Sequence, residues 1–141
     1  MTKIKKLAHI ILSKYNIDLS ILDKYNEPHR FYHNWDHIEY MINLCDRYKY
    51  TSEDLLLAII FHDIIYDPKE NDNEEKSAEL FYSMFSNMLS DKDGNKIDID
   101  VDKIKQAILD TKYHNKFSSE ISEQLCELDL YNLYDNFDVF Y

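Results

Sequence analysis

Leu55-Leu56-Leu57-Ala58-Ile59-Ile60-Phe61-His62-Asp63 is the stretch on which the fold turns. Its first seven residues are all apolar, which leaves no face for solvent. The segment therefore predicts a helix that is central and buried on most sides, capped by Thr51 or Ser52. A helix rather than a strand suits the rest of the chain, since one Gly and two Pro in 141 residues supply few of the turns that many short strands require. His62 and Asp63 close this apolar run, and they are the first polar groups that need an explanation.

Upstream, Asn34 predicts the N-cap of a helix that carries Ile38, Met41, Ile42 and Cys45 on one face. Pro28 stops any helix from running through Asn26 to His33, so that stretch predicts a loop. A short segment from Leu19 to Tyr25 precedes it, and a first helix carries Ile4, Leu7, Ala8, Ile11 and Tyr15. Downstream, Asp67-Pro68 marks a break, and Asn73 to Leu89 predicts an amphipathic helix with Ala78, Phe81, Tyr82, Phe85 and Leu89 inward. Asp91 to Asp100 is a loop holding the single glycine. Val101, Ile104, Ile108 and Thr111 define a further helix. Ile121, Leu125, Leu128 and Asn132 define the last, followed by an aromatic tail from Tyr134 to Tyr141. The expectation is an all-α bundle of about six helices forming one domain over residues 1–141, with no internal repeat.

Sixteen basic against 27 acidic residues give a net charge of −11. So acidic a surface repels phosphate backbones and anionic lipid, which argues against nucleic-acid binding and against membrane docking. A small anionic substrate then needs a metal or a local cation to offset the field. Cys45 and Cys126 form no CxxC pair and fall in apolar helical patterns, as reduced core thiols would. The basic start Met1 to Lys6 leads into an apolar run that His9 interrupts and that has no small-residue cleavage site. No stretch is long enough to span a bilayer. The expectation is a soluble cytoplasmic protein.

Several polar residues fall on faces that should be core. His37 lies four residues before Met41, Asp129 four after Leu125, Glu74 four before Ala78 and His114 three after Thr111. Adjacent His62 and Asp63 would project about 100° apart on a helix, suiting neighbouring coordination positions. Each has a structural reading on its own: a hydrogen-bonded core histidine, a capping carboxylate for Glu74, a helix-end cap for His114. A buried unpaired carboxylate costs several kcal/mol, however, and no Lys or Arg interrupts the central helix to pair with Asp63. Inward imidazoles and carboxylates on separate helices call for a shared cation. Nitrogen and oxygen donors without thiolate suit Mn, Fe, Co, Ni or Mg with open water positions, one or two ions per chain.

Tyr32-His33-Asn34-Trp35-Asp36-His37, Phe61-His62-Asp63 and Glu127-Leu128-Asp129-Leu130 together resemble the H…HD…D signature of HD-domain metal-dependent phosphohydrolases. Glu27 to Asn34, Phe61 to Asp67 and Asn73 to Ala78 are similar to a bacterial subgroup described as predicted HD-superfamily phosphohydrolases. The likeness covers roughly Tyr25 to Leu130. His33-Asn34 with His37 also resembles the metal-binding start of cyclic-nucleotide phosphodiesterases. The resemblance implies metal ligands His37, His62, Asp63 and Asp129, with Asp63 able to bridge two ions. It implies His33 as general acid, Glu74 as a water-orienting carboxylate, and His114 at a second metal or a phosphate. Two departures bear on substrate. Members of the subgroup continue with further helices beyond the point where this chain stops at Tyr141, so part of the substrate wall would be missing or come from a second subunit. Glu127 stands where relatives tend to have Asp.

The expected function is hydrolysis of a phosphoester of a small nucleotide-like or phosphorylated metabolite by a metal-activated water. His33 would protonate the departing oxygen, and Arg30 or Lys112 would hold a further phosphate. The alternative is a non-catalytic HD-fold module that binds a nucleotide or a metal. Asp91 to Asp102 has the alternating carboxylates of a calcium loop, but Gly94 sits at its fourth position instead of the sixth and Asp102 replaces the final Glu, so it is better read as a solvated acidic loop. The twelve tyrosines are better read as core and interface than as stacking platforms for bases. The aromatic end Phe137 to Tyr141 would suit packing on a second copy as a homodimer.

Overall fold

A computed structural model describes the backbone of residues 2–138 and the side chains of residues 2–131. The inward place expected of Asn132 and the dimer contact expected of Phe137 to Tyr141 lie outside the described side chains. The chain is all-α. Helix α1 (Lys3–Lys14) is followed by a 3₁₀ segment (Leu19–Asn26), α2 (Trp35–Tyr48), α3 (Glu53–His62), α4 (Asn73–Phe85), α5 (Val101–Asp110) and α6 (Glu120–Asp138). Among the described residues no strand forms, only one antiparallel bridge between Ser90 and Lys96. No described helix is long and apolar enough to cross a membrane.

Side-chain caps start α2, α3 and α5. Asn34 accepts the His37 N–H at 3.4 Å and Ser52 accepts that of Leu55 at 3.2 Å, so each cap satisfies one orphan donor. Asp100 caps α5 through Lys103 N–H at 3.1 Å. Helix α3 is the axle of the bundle: Leu55, Leu57, Ala58, Ile59, Ile60 and Phe61 are buried, and α2, α4, α5 and α6 all pack on it. Phe61 meets Phe81 edge-on at 5.3 Å, while Phe81 stacks on Phe85 at 4.6 Å, which locks α3 to α4. At the far end, Tyr15 and Lys14 reach Glu53 at 2.6 and 3.1 Å and fasten the end of α1 to the start of α3. The buried Ser122 hydroxyl donates to Asp110 at 2.6 Å and ties α6 to α5.

Two expectations need correction. Helix α4 ends at Phe85, and Leu89 is 85 % exposed. Its carbonyl instead receives the Ile97 N–H at 3.4 Å, beside the Ser90–Lys96 bridge, so the chain has left helical register and Leu89 turns outward. Helix α3 ends at His62, and Asp63 is its C-cap at φ −115°, so the two side chains do not share regular helical spacing. The acidic loop is a closed turn. Asp91 Oδ1 accepts from the N–H groups of Asp93 and Asn95, at 2.9 and 3.0 Å, which closes the turn.

Candidate metal centre

The centre forms where three helices meet. His37 comes from the first turn of α2, directly behind the Asn34 cap. His62 is the last residue of α3, and Asp129 projects from α6, one turn after buried Leu125. Donor atoms of His37, His62 and Asp129 all lie within 4.8 Å of one another. The two Nε2 atoms are 3.3 Å apart, and Asp129 Oδ1 lies 2.9 Å from that of His37 and 3.5 Å from that of His62. Asp63 is adjacent: its Oδ2 stands 3.4 Å from each Nε2, yet it falls outside the mutually close trio. Both imidazole side chains are 1 % exposed, against 16 and 17 % for Asp63 and Asp129.

The tautomer of His62 decides what this arrangement can hold. Its Nδ1 donates to the Ile59 carbonyl at 2.7 Å, so in the neutral ring Nε2 carries a lone pair. That lone pair faces another imidazole nitrogen and two carboxylates. Acceptors converging in this way repel one another unless a proton or a cation lies between them. The protonation equilibria express the same demand. Burial pushes the His62 imidazole down, but Asp63 and Asp129 override it and raise it to about 9. His37 is raised against its burial by hydrogen bonds to Asp129 and Asp63. Burial opposes ionisation of both carboxylates. Even so, His62, His33 and His37 hold Asp63 below its usual range, and His114, His37 and His62 hold Asp129 well below it. The donor set therefore fits a divalent ion: two imidazoles with one carboxylate and a second beside it, and a backbone carbonyl behind a ligand imidazole, as metal-binding histidines usually have.

The remaining expected residues fall into place around this group. His33 Nδ1 donates to Asp63 Oδ2 at 2.8 Å, and its ring stacks on Tyr66 at 4.2 Å, at the more exposed edge of the centre. His114 Nε2 meets Asp129 Oδ2 at 2.7 Å, so it braces the carboxylate of the trio without joining the trio as a further donor. Glu74 lies half-buried in the first turn of α4, and no hydrogen bond or ion pair links it to the cluster. Lys112 is paired with Glu75 at 2.7 Å.

Comparison of the chain with protein-family models, with curated proteins and with solved structures returns no match.

Arg30 requires a correction. Expected at the substrate, its side chain is fully buried, with its N–H groups on Glu27 and on the carbonyls of His33, Asp63 and Ile64. A guanidinium sealed in this way has no face for a phosphate. Tyr25 was also missed. It is wholly buried, and its hydroxyl donates to the Ile60 carbonyl in the last turn of α3. The sequence signal for it was weak: a tyrosine on the inward side of a short segment reads as ordinary core.

Proposed function

We propose that the chain is a metal-dependent phosphohydrolase of the HD type, acting on a small phosphorylated, nucleotide-like metabolite. The observation that carries this reading is the convergence of His37, His62 and Asp129 on one point, from three helices, with nitrogen and oxygen donors only. A divalent ion held there would polarise phosphoryl oxygens and acidify a water, the two services phosphoester hydrolysis most needs. It would also supply the positive charge that so acidic a chain otherwise lacks for an anionic substrate.

The protein's own groups have separable tasks in this scheme. The Ile59 carbonyl fixes the His62 tautomer and so presents Nε2 inward. His114 takes one oxygen of Asp129 and leaves the other toward the imidazoles. His33 has Nδ1 committed to Asp63, which leaves Nε2 as the nitrogen able to give a proton to a departing oxygen when the ring is cationic. Its side chain is 32 % exposed, the most open among the site histidines, as a group that must reach substrate should be.

A second reading draws on the low exposure of the same ligands: a non-catalytic module that holds an ion or a nucleotide without turnover. One experiment separates the two. Protein purified without chelators is assayed for bound metal by mass spectrometry, beside His62→Ala, and both are tested for phosphate release from a panel of phosphorylated metabolites with Mn, Fe, Co, Ni or Mg added. One or two equivalents of metal, lost in the variant together with phosphate release, is the expected result. Metal without release on any substrate would favour the binding module. No metal after supplementation would sink the hydrolase and the ion-holding module alike, and leave only a nucleotide-binding module.

A further inference from the structure

We propose that Arg30 is a positioning residue for the metal centre, clamping the backbones of His33 and Asp63 so that their side chains meet at the ligand cluster. The proposal rests on the metal-binding reading above and extends it to a residue that touches no ligand atom of the trio.

The geometry is a closed ring. Arg30 Nη1 donates to the His33 carbonyl at 2.8 Å and to the Asp63 carbonyl at 2.7 Å. The side chains of those same two residues meet at 2.8 Å, through Nδ1 and Oδ2. His33 lies in the loop before α2 and Asp63 caps α3, so two elements far apart in sequence are joined twice, once by backbone and once by side chain. Nη2 donates to Ile64 O at 2.8 Å and Nε to Glu27 at 2.9 Å, which leaves the guanidinium no freedom to rotate. The guanidinium lies 5.0 Å from the Tyr25 ring and 5.8 Å from that of Tyr66, and Tyr66 in turn stacks on His33.

The end of α3 explains why a guanidinium is needed. A helix terminates with orphan carbonyls that carry partial negative charge. Here Tyr25 satisfies Ile60 O, and Arg30 satisfies Asp63 O and Ile64 O just beyond the last turn. Three carbonyls pointing in from two segments need a planar, multi-pronged cation. A Lys ammonium is a compact point charge and cannot span them. Without the clamp only the His33–Asp63 side-chain contact would join the loop to the turn, and Asp63 would be held less firmly at its distance to both imidazoles.

The test uses the full-length chain with cobalt(II) as probe, read by its visible absorption, and the ring nitrogen resonances of ¹⁵N-labelled histidine in metal-free protein. Arg30→Lys is expected to weaken cobalt affinity about tenfold, the scale of outer-sphere substitutions, and to move the His33 resonance toward that of a free imidazole. Leu12→Ala, a buried core change in α1, serves as a destabilised control that should leave both readings where they are. Should Arg30→Lys fail to fold, Glu27→Ala releases the Nε anchor of Arg30, along with a 3.9 Å approach to His29, and is expected to weaken cobalt binding about two- to threefold. Affinity within error of the parent together with an unmoved His33 resonance would overturn the proposal. So would an equal loss in the Leu12 control. If the parent chain binds no cobalt, the metal reading fails, and the His33 resonance alone still decides whether Arg30 positions that residue.

Discussion

His114 reaches Asp129 at 2.7 Å from a backbone held in the left-handed region, at φ 54°. The strain and the contact belong together. A non-glycine residue at positive φ costs roughly 1 kcal/mol or more, and such residues persist where the surrounding structure imposes them. Here the Asp110 carbonyl holds the His114 N–H at 3.2 Å, just past the end of α5, and turns the imidazole toward α6. His114→Gly and His114→Ala should each weaken metal binding about tenfold, because both release Asp129 Oδ2. In urea unfolding the Gly variant should be the more stable of the two by about 1 kcal/mol, since only Gly adopts that backbone without strain. Equal stabilities would mean the left-handed turn is not a constraint.

The ligand cluster should give metal-free protein an unusual pH profile. His62 has a folded value of about 9 against an ordinary 6.5, so its contribution is fully present below pH 6.5 and is lost as pH rises through 9. The gap corresponds to about 3 kcal/mol for a buried group. Asp63 and Asp129 are depressed, so what they add is present above pH 4 and is lost in stronger acid. Urea unfolding with chelator present should therefore show greatest stability between about pH 4 and 6.5 and a fall toward pH 9. Added metal should reverse the alkaline limb, because the ion replaces the proton and competes best when protons are scarce. A flat profile from pH 6 to 9 would mean that the imidazoles share no charge with the carboxylates.

Phe81 and Leu89 test where α4 ends. Both are apolar and both fit one helical stripe in the sequence, yet Phe81 is fully buried between Phe61 and Phe85 whereas Leu89 lies in solvent. Phe81→Ala should cost about 3–5 kcal/mol in denaturant unfolding. Leu89→Ala should stay within about 0.5 kcal/mol. A large cost at Leu89 would restore it to an inward face.

The same contrast shows what the sequence could and could not reveal. The axle α3 was legible because an unbroken apolar run admits no solvent face, and the caps Asn34 and Ser52 were legible because their chemistry is local. His37, His62 and Asp129 were legible as polar groups on apolar faces. The end of α4 was not, since the periodicity runs on through Leu89, whereas the helix stops at Phe85 and the Leu89 carbonyl pairs with Ile97. Arg30 was not, because in a loop beside Pro28 nothing local separates a buried clamp from a surface charge. Its partners are carbonyls of Asp63 and Ile64, and a backbone acceptor leaves no mark in a sequence. The His114–Asp129 contact likewise depends on how α5 and α6 pack.

The two carboxylates of the centre should prove unequal. Asp129 belongs to the mutually close trio, whereas Asp63 approaches the same imidazoles from beside it and is shared with His33. Asp129→Asn removes one of three converging charged or basic donors and should abolish stoichiometric metal binding. Asp63→Asn leaves the trio intact. It should retain the ion with affinity reduced about 10- to 100-fold, as loss of an adjacent orienting group does, while freeing His33 from its carboxylate. Phosphate release, if His33 works as the proton donor, should then fall by more than the metal occupancy does, because the imidazolium loses the charge that steadies and aims it. Metal content and turnover measured on the same two preparations decide the matter. Loss of metal in Asp63→Asn equal to that in Asp129→Asn would make Asp63 a full ligand and the centre a four-residue site.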